Sequence, residues 1–264
     1  MRCKWTLVLL LLFIPLFAGG CWGKTETDEV AYILAMGFDK GEKNNLIVTV
    51  QIANPRPIAG GGQDSAGGNG SGAPSTVVRS VEGIAPISSL DILNTPTTRK
   101  LSLLHTKAYF FSDELAREGL GKWMTSLNRL REFRETANIY IVRGQAREFI
   151  EQNQSQLESN PAKQYELMNI ISDVNSSFLP MQFLQFYEES KLTSIQPNLP
   201  LVGLHEGGLE TAEPGPPQGG SYNIVPYKAG EAPIVGEKRG QFIGLAVFQG
   251  DKMVGELDGS ETRA

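Results

Sequence analysis

Two cysteines and two histidines are all the thiol and imidazole side chains that this chain of 264 residues holds for binding metals or running nucleophilic chemistry. The cysteines are Cys3 and Cys21, the histidines His105 and His205. Isolated histidines with neither a His-x-x-x-His pair nor a cysteine partner make no metal-ligand set. No recognisable serine or cysteine nucleophile motif stands ready for a general base. Positive charge is scarce too: 24 Lys and Arg face 29 Asp and Glu, a net of −5, which argues against a nucleic-acid partner. No apolar run approaches the roughly 20 residues that cross a bilayer. These absences leave no cofactor, no metal and no catalytic group to name, and they point away from an enzyme.

The apolar run that does exist covers residues 7–17, behind the basic start Met1-Arg2-Cys3-Lys4 and ahead of the small residues Ala18-Gly19-Gly20. A positive start, a short greasy middle and a small-residue end mark a secretory signal peptide, expected at residues 1–20. Cys21 follows at once. The arrangement resembles the bacterial lipobox, with Ala18 where leucine is usual, and the resemblance makes Cys21 the lipid attachment site. Lys24, Glu26, Asp28 and Glu29 close the apolar window, so a transmembrane anchor does not fit. Each buried CH₂ of an acyl chain contributes about 0.8 kcal/mol, so that two chains or more anchor stably where one is marginal. Cleavage before Cys21 leaves one cysteine, taken by lipid, and no disulfide can form. It also removes Arg2 and Lys4, leaving 22 basic side chains against 29 acidic, a net of −7. Lipid rather than charge is then expected to hold the chain to an anionic membrane.

Residues 21–29 read as a lipidated polar tether, and residues 30–204 as an N-terminal domain of strands and helices. Residues 30–38 and 46–53 have strand composition around a polar turn, a hairpin signature. In the second run Leu46, Val48, Val50 and Ile52 share one face while Thr49 and Gln51 point the other way. Residues 59–74 hold seven glycines in sixteen positions, a loop too poor in apolar side chains to fold. Strand character resumes at 75–81, expected to pair with the hairpin. Residues 83–94 fit a helix with Ile84, Ile87, Leu90 and Leu93 inward and Pro86 in its first turn. The segment 101–111 contains Ala108-Tyr109-Phe110-Phe111, a buried strand. Ser112 then caps a helix rich in early acid, Asp113 and Glu114, which Gly119 ends. A second helix follows with Leu120, Trp123, Met124 and Leu127 on one stripe. A strand at 138–143, a helix at 145–152, one opened by Asn160-Pro161 and running to about 171, and one from Pro180 to about 190 complete the series. This is an α+β pattern of mixed sheets with packed helices, in more than one domain.

From 205 to 240 the composition turns to proline and glycine, a connection. Residues 241–249 and 252–257 then form a hairpin about Gly250-Asp251. A lone hairpin is marginal in water, so residues 241–264 are expected to open a second domain whose remainder is missing. His105, ahead of the buried strand, reads as a structural histidine hydrogen-bonded at a strand start, and His205 as a loop residue. Arg129, Arg131 and Arg134, with Glu132 and Glu135, crowd a helix end, either as a solvated face or as a docking patch for a partner or lipid headgroups. Trp123 reads as core.

Several pieces in order resemble the C-subunit lipoproteins of bacterial spore germinant receptors, the Ger(x)C family. They are Gly20-Cys21-Trp22, the strand ending Gly37-Phe38-Asp39-Lys40, Thr98-Arg99-Lys100-Leu101 with His105 after it, Ser112 to Leu120, Gly244-Leu245-Ala246-Val247-Phe248, and Asp251-Lys252-Met253-Val254-Gly255. The resemblance covers the first domain and the opening of a second. It implies three α/β domains, so that the C-terminal part of the family architecture would be missing. It also implies a non-enzymatic, lipid-anchored subunit on the outer face of the spore inner membrane, acting with two integral-membrane subunits, of A and B type, in the germination response to nutrients. A solute-binding lipoprotein of a transport system is the alternative reading, and it would need two lobes about a hinge cleft.

Overall fold

The computed structural model describes residues 26–54, 75–153, 158, 160–205, 225–234 and 239–263. The signal peptide, Cys21, the glycine-rich loop at 59–74 and most of the 205–240 connection lie outside the described residues.

Alternating and β-branched residues set the first strands. β1 (Val30–Lys40) and β2 (Leu46–Ala53) pair antiparallel, with Met36 opposite Val50 and Phe38 opposite Val48. β3 (Thr76–Gly83) pairs with β2 along its whole length. After α1 (Pro86–Asn94) come β4 (Lys100–Ser102), parallel to the start of β1, and β5 (Ala108–Ser112), parallel to its later part. β4 and β5 therefore serve β1 as one interrupted strand. The excursion between them is tied back where Thr106 Oγ1 donates to the Ile33 carbonyl (3.2 Å) and Lys107 N to the Leu34 carbonyl (2.8 Å).

Two short helices, α2 (Asp113–Glu118) and α3 (Gly121–Leu127), lead to β6 (Asn138–Arg143), parallel to β5. Three more, α4 (Ala146–Gln152), α5 (Pro161–Asn175) and α6 (Phe183–Glu189), precede β7 (Asn198–His205), parallel to β6. β8 (Arg239–Gln249) runs antiparallel to β7, and β9 (Lys252–Leu257) antiparallel to β8. The strand order is β3-β2-β1-β5-β6-β7-β8-β9. A mixed sheet with a parallel centre and antiparallel flanks, carrying packed helices, is the α+β class that the sequence pattern led to.

Helices cover both faces of the sheet, as a parallel centre requires. On one face Leu115, Trp123, Met124 and Leu127 of α2 and α3, with Phe183 and Phe186 of α6, pack on Phe38, Phe111, Ile139 and Phe248. On the other, Phe149 and Ile150 of α4 and Tyr165 of α5 pack on Phe110, Tyr140 and Phe242. The rings of Phe110 and Tyr140 stack at 5.3 Å and those of Phe38 and Phe111 at 4.7 Å.

Four expectations change. The polar side of β2 is not solvated: Thr49 and Gln51 are buried under the second layer, where Thr49 meets Ser80 (2.9 Å) and Gln51 accepts from the Tyr165 hydroxyl (3.3 Å). Helix α1 begins at Pro86, so Ile84 lies outside it and exposed, and Ser89 and Leu93 supply the buried stripe. Helix α6 begins at Phe183, since Gln182 still bridges to Asn138 in strand fashion. Finally, residues 241–257, expected to open a separate domain, are the last two strands of this same sheet.

Candidate functional site

The parallel strands β1, β5, β6 and β7 end on one edge, the place where open sheets with parallel centres gather their polar side chains. Asp39, near the end of β1, is buried and caps α4: its carboxylate accepts from Ala146 N (2.7 Å) and Arg147 N (2.9 Å). Burial pushes its carboxyl above the ordinary aspartate value, against the pull of those hydrogen bonds. Lys40 beside it pairs with Glu118 and with Glu114 (3.0 Å). Ser112 caps α2 through Leu115 N (3.4 Å). A Cβ at Gly37 would meet Ile150 Cδ1 at 2.8 Å and Ala146 Cβ at 3.2 Å, so glycine there eases the close seating of α4 on β1.

Beyond these residues the edge opens into a polar cleft of about 600 Å³ lined by Asp113, Arg117, Arg143, Gly203, Glu231 and Glu256. Glu256 of β9 meets Arg117 of α2 (3.1 Å), Arg143 of β6 (3.5 Å) and Lys228 (3.3 Å). Arg143 also reaches Glu231 (2.7 Å) and the Ala229 carbonyl (2.9 Å). Burial pushes the Glu231 carboxyl up, but the Lys228 amide and the Arg143 guanidinium outweigh it and hold the group below its ordinary value. The cleft's cations and carboxylates satisfy one another. Chemically this is a clamp that ties α2, β6, β9 and the 225–234 segment together.

At the opposite edge the β8–β9 turn locks the corner between α2 and α3. Asp251 accepts from Gly121 N through its carboxylate (3.0 Å) and from Leu120 N through its carbonyl (2.9 Å). Gly119 turns this corner at φ +117°, where a side chain would be strained. A hollow of about 290 Å³ lies between α1 and the loop after α3, with Ile33, Leu90, Leu101 and Leu130 on its apolar wall and Asp91, Lys100, Arg131 and Glu132 also lining it.

Cys21, the expected lipid site, lies outside the described residues. His105 is exposed in the excursion between β4 and β5 and stacks on Tyr32 (4.5 Å, 15°), not hydrogen-bonded at a buried strand start. Partial burial, with the charges of Arg134 and Lys107, keeps its pKa below the usual histidine value. His205 is no loop residue: it is the last residue of β7, buried, with Nδ1 3.2 Å from the Gly230 carbonyl. The two histidines sit toward opposite edges of the sheet. Arg129, Arg131 and Arg134 follow α3, which ends at Leu127, in a loop rather than on the helix. Glu132 among them pairs with Lys100 (2.9 Å). Trp123 is buried as expected, with Lys122 Nζ 4.2 Å above its ring.

The clamp residues Arg117, Arg143, Lys228, Glu231 and Glu256 were not singled out from the sequence. Arg117 and Glu256 stand 139 positions apart, and no local spacing announces such a pair. Among the described residues no group of three or more His, Cys, Asp or Glu is placed to hold a metal. No helix among them is long and apolar enough to cross a membrane.

Residues 23–204 match the family described as spore germination protein N-terminal domain. Spore germination protein KC of Bacillus subtilis (strain 168) is 34% identical over 140 residues, which cover 53% of this chain and 34% of that protein. The putative spore germination protein YfkR of the same organism is 30% identical over 173 residues, 65% of this chain and 44% of that protein. The chain thus spans less than half the length of these two relatives. No solved structure matches it.

Proposed function

Since the chain belongs to the spore germination protein N-terminal domain family, we propose that it is a lipid-anchored, non-enzymatic subunit of a nutrient germinant receptor. Cys21 carries the lipid, the outer face of the spore inner membrane is its location, and two integral-membrane subunits, of A and B type, are its partners. One observation carries the reading. The match to a germination family begins at Gly23, two residues behind a cysteine that directly follows a signal-like segment. A lipid there would hold the matched domain at the membrane surface, and confinement to that surface raises its effective concentration against membrane partners. The internally paired clamp supports a scaffold over a catalyst. The solute-binding alternative needs two lobes, whereas the described residues build one sheet.

The test is to follow the native chain and Cys21→Ala through membrane fractionation and mass spectrometry, and to identify what co-purifies with each. The native chain is expected in the membrane fraction, acylated, and accompanied by two multi-spanning proteins. Cys21→Ala is expected in the soluble fraction. An acylated, membrane-retained Cys21→Ala protein would overturn the anchor, and a native chain that copurifies with transporter components instead would overturn the receptor assignment.

A further inference from the structure

Resting on the anchor at Cys21, we infer that the edge of the sheet where β1 begins lies against the bilayer, with the loops 103–107 and 128–137 at the lipid headgroups and the polar cleft turned away. The first ground is reach. Described structure starts at Glu26, and a 3-10 turn at Thr27–Glu29 leads straight into β1. The five residues from Cys21 to Thr25 span at most about 18 Å when fully extended. β1 with its eleven residues is itself roughly 33 Å long at about 3.3 Å per residue, so the turn at its far end stays well beyond the short tether when the sheet stands upright.

The second ground is what the near edge presents. Val30 pairs with Lys100, Lys100 with Glu132 (2.9 Å), Tyr32 stacks on His105, and Arg134 Nη1 donates to the Leu104 carbonyl (3.5 Å). These contacts bring both loops to the start of β1. Leu104 is 58% exposed at that place. Arg129 and Arg131 are exposed and, among the described residues, neither comes within ion-pair distance of a carboxylate, although the charge of Arg131 acts on Glu132. Arg134 donates to neutral oxygens, those of Leu104 and Thr136. At the far edge Lys40, Arg117, Arg143, Arg147 and Lys228 are all held by carboxylates. Guanidinium groups left open beside an exposed leucine suit a phosphate-bearing interface. Glu26, Asp28 and Glu29, in the turn that leads into β1, and Glu135 in the second loop offset the three arginines. Charge therefore adds little affinity; the arginines and Leu104 set orientation while the acyl chains hold.

The orientation is read with the lipidated full chain in vesicles of phosphatidylcholine and phosphatidylglycerol that carry nitroxide headgroups. Lipid caps Cys21, so Leu104→Cys and Glu42→Cys each offer a single thiol for a fluorophore. Sedimentation with the vesicles is scored first; a chain that stays in solution overturns the anchor and this inference together. Once bound, the label at 104 is expected to be quenched several-fold more strongly than the label at 42. Equal quenching at the two sites, as from a sheet lying flat or edges covered only by a protein partner, overturns the orientation while leaving the anchor intact. Adding Arg129→Glu and Arg131→Glu is expected to bring the 104 signal down towards that at 42 with sedimentation unchanged; an unaltered ratio overturns the role of the arginines.

Discussion

Asp39 ends a strand and starts a helix with one carboxylate, accepting two backbone N–H groups of α4 from a buried position. Removing the acceptor leaves both donors without a partner, so Asp39→Ala is expected to lower stability by about 2 kcal/mol, as loss of a cap with buried donors does. Urea unfolding of the two chains measures this. The pH dependence has a definite sign. Burial raises the folded carboxyl's pKa above its unfolded value, so the stability that Asp39 contributes is complete below the unfolded pKa and is lost as pH rises through the folded one. The stability gap between the native chain and Asp39→Asn should therefore be widest in acid and narrow as pH rises; a gap that widens contradicts the assignment. Asp39 was visible in the sequence only as the end of a strand. Its partner amides lie more than a hundred positions away, and no pattern in 30–40 foretells them.

Among the elements, the resembling pieces Ser112 to Leu120 and Asp251 to Gly255 turn out to be two halves of one joint. Asp251 caps the corner that Gly119 makes possible. Gly119→Ala places a Cβ at φ +117° and 3.0 Å from the Asp251 carboxylate, and is expected to cost roughly 1–2 kcal/mol. Asp251→Ala should cost about 1 kcal/mol, the worth of a lost cap, and speed hydrogen exchange at Leu120 to Met124 more than elsewhere. Exchange mass spectrometry separates that local effect from general loosening. Most elements were legible because their local signal was strong: the alternation of β2, the unbroken β-branched and aromatic run of β6 and the α3 stripe need no outside help. β7 was not. Pro200 within Asn198 to Gly203 cannot donate to a ladder, so the segment carries no clean strand signal. The structure accommodates Pro200 at an irregularity in the pairing with β8, before pairing with β6 begins at Leu201. Gly203 is needed because a Cβ would strike the Ala229 carbonyl at 2.7 Å.

For the molecule as a whole, the boundary that the sequence suggested at 204 cuts through the sheet. A chain ending at His205 loses Phe242 and Phe248 from the two apolar layers and exposes the full edge of β7. It is expected to be insoluble or to lack near-ultraviolet circular dichroism, whereas Phe248→Ala in the full chain should fold with a loss of about 3 kcal/mol. A soluble, cooperatively unfolding chain 26–205 would refute the single-sheet unit. The hairpin's place was hidden because its own pattern is satisfied equally by any sheet edge. Only the long-range pairing with β7 decides which, and that pairing leaves no mark in local composition.

The parallel centre also sets a tempo. β1, β5, β6 and β7 are neighbours in space but are reached one after another only through long crossovers, so distant stretches of chain must meet before any central ladder can close. Topologies dominated by such remote pairings fold over milliseconds to seconds rather than microseconds. During that delay the open ladders invite mispairing between nascent copies.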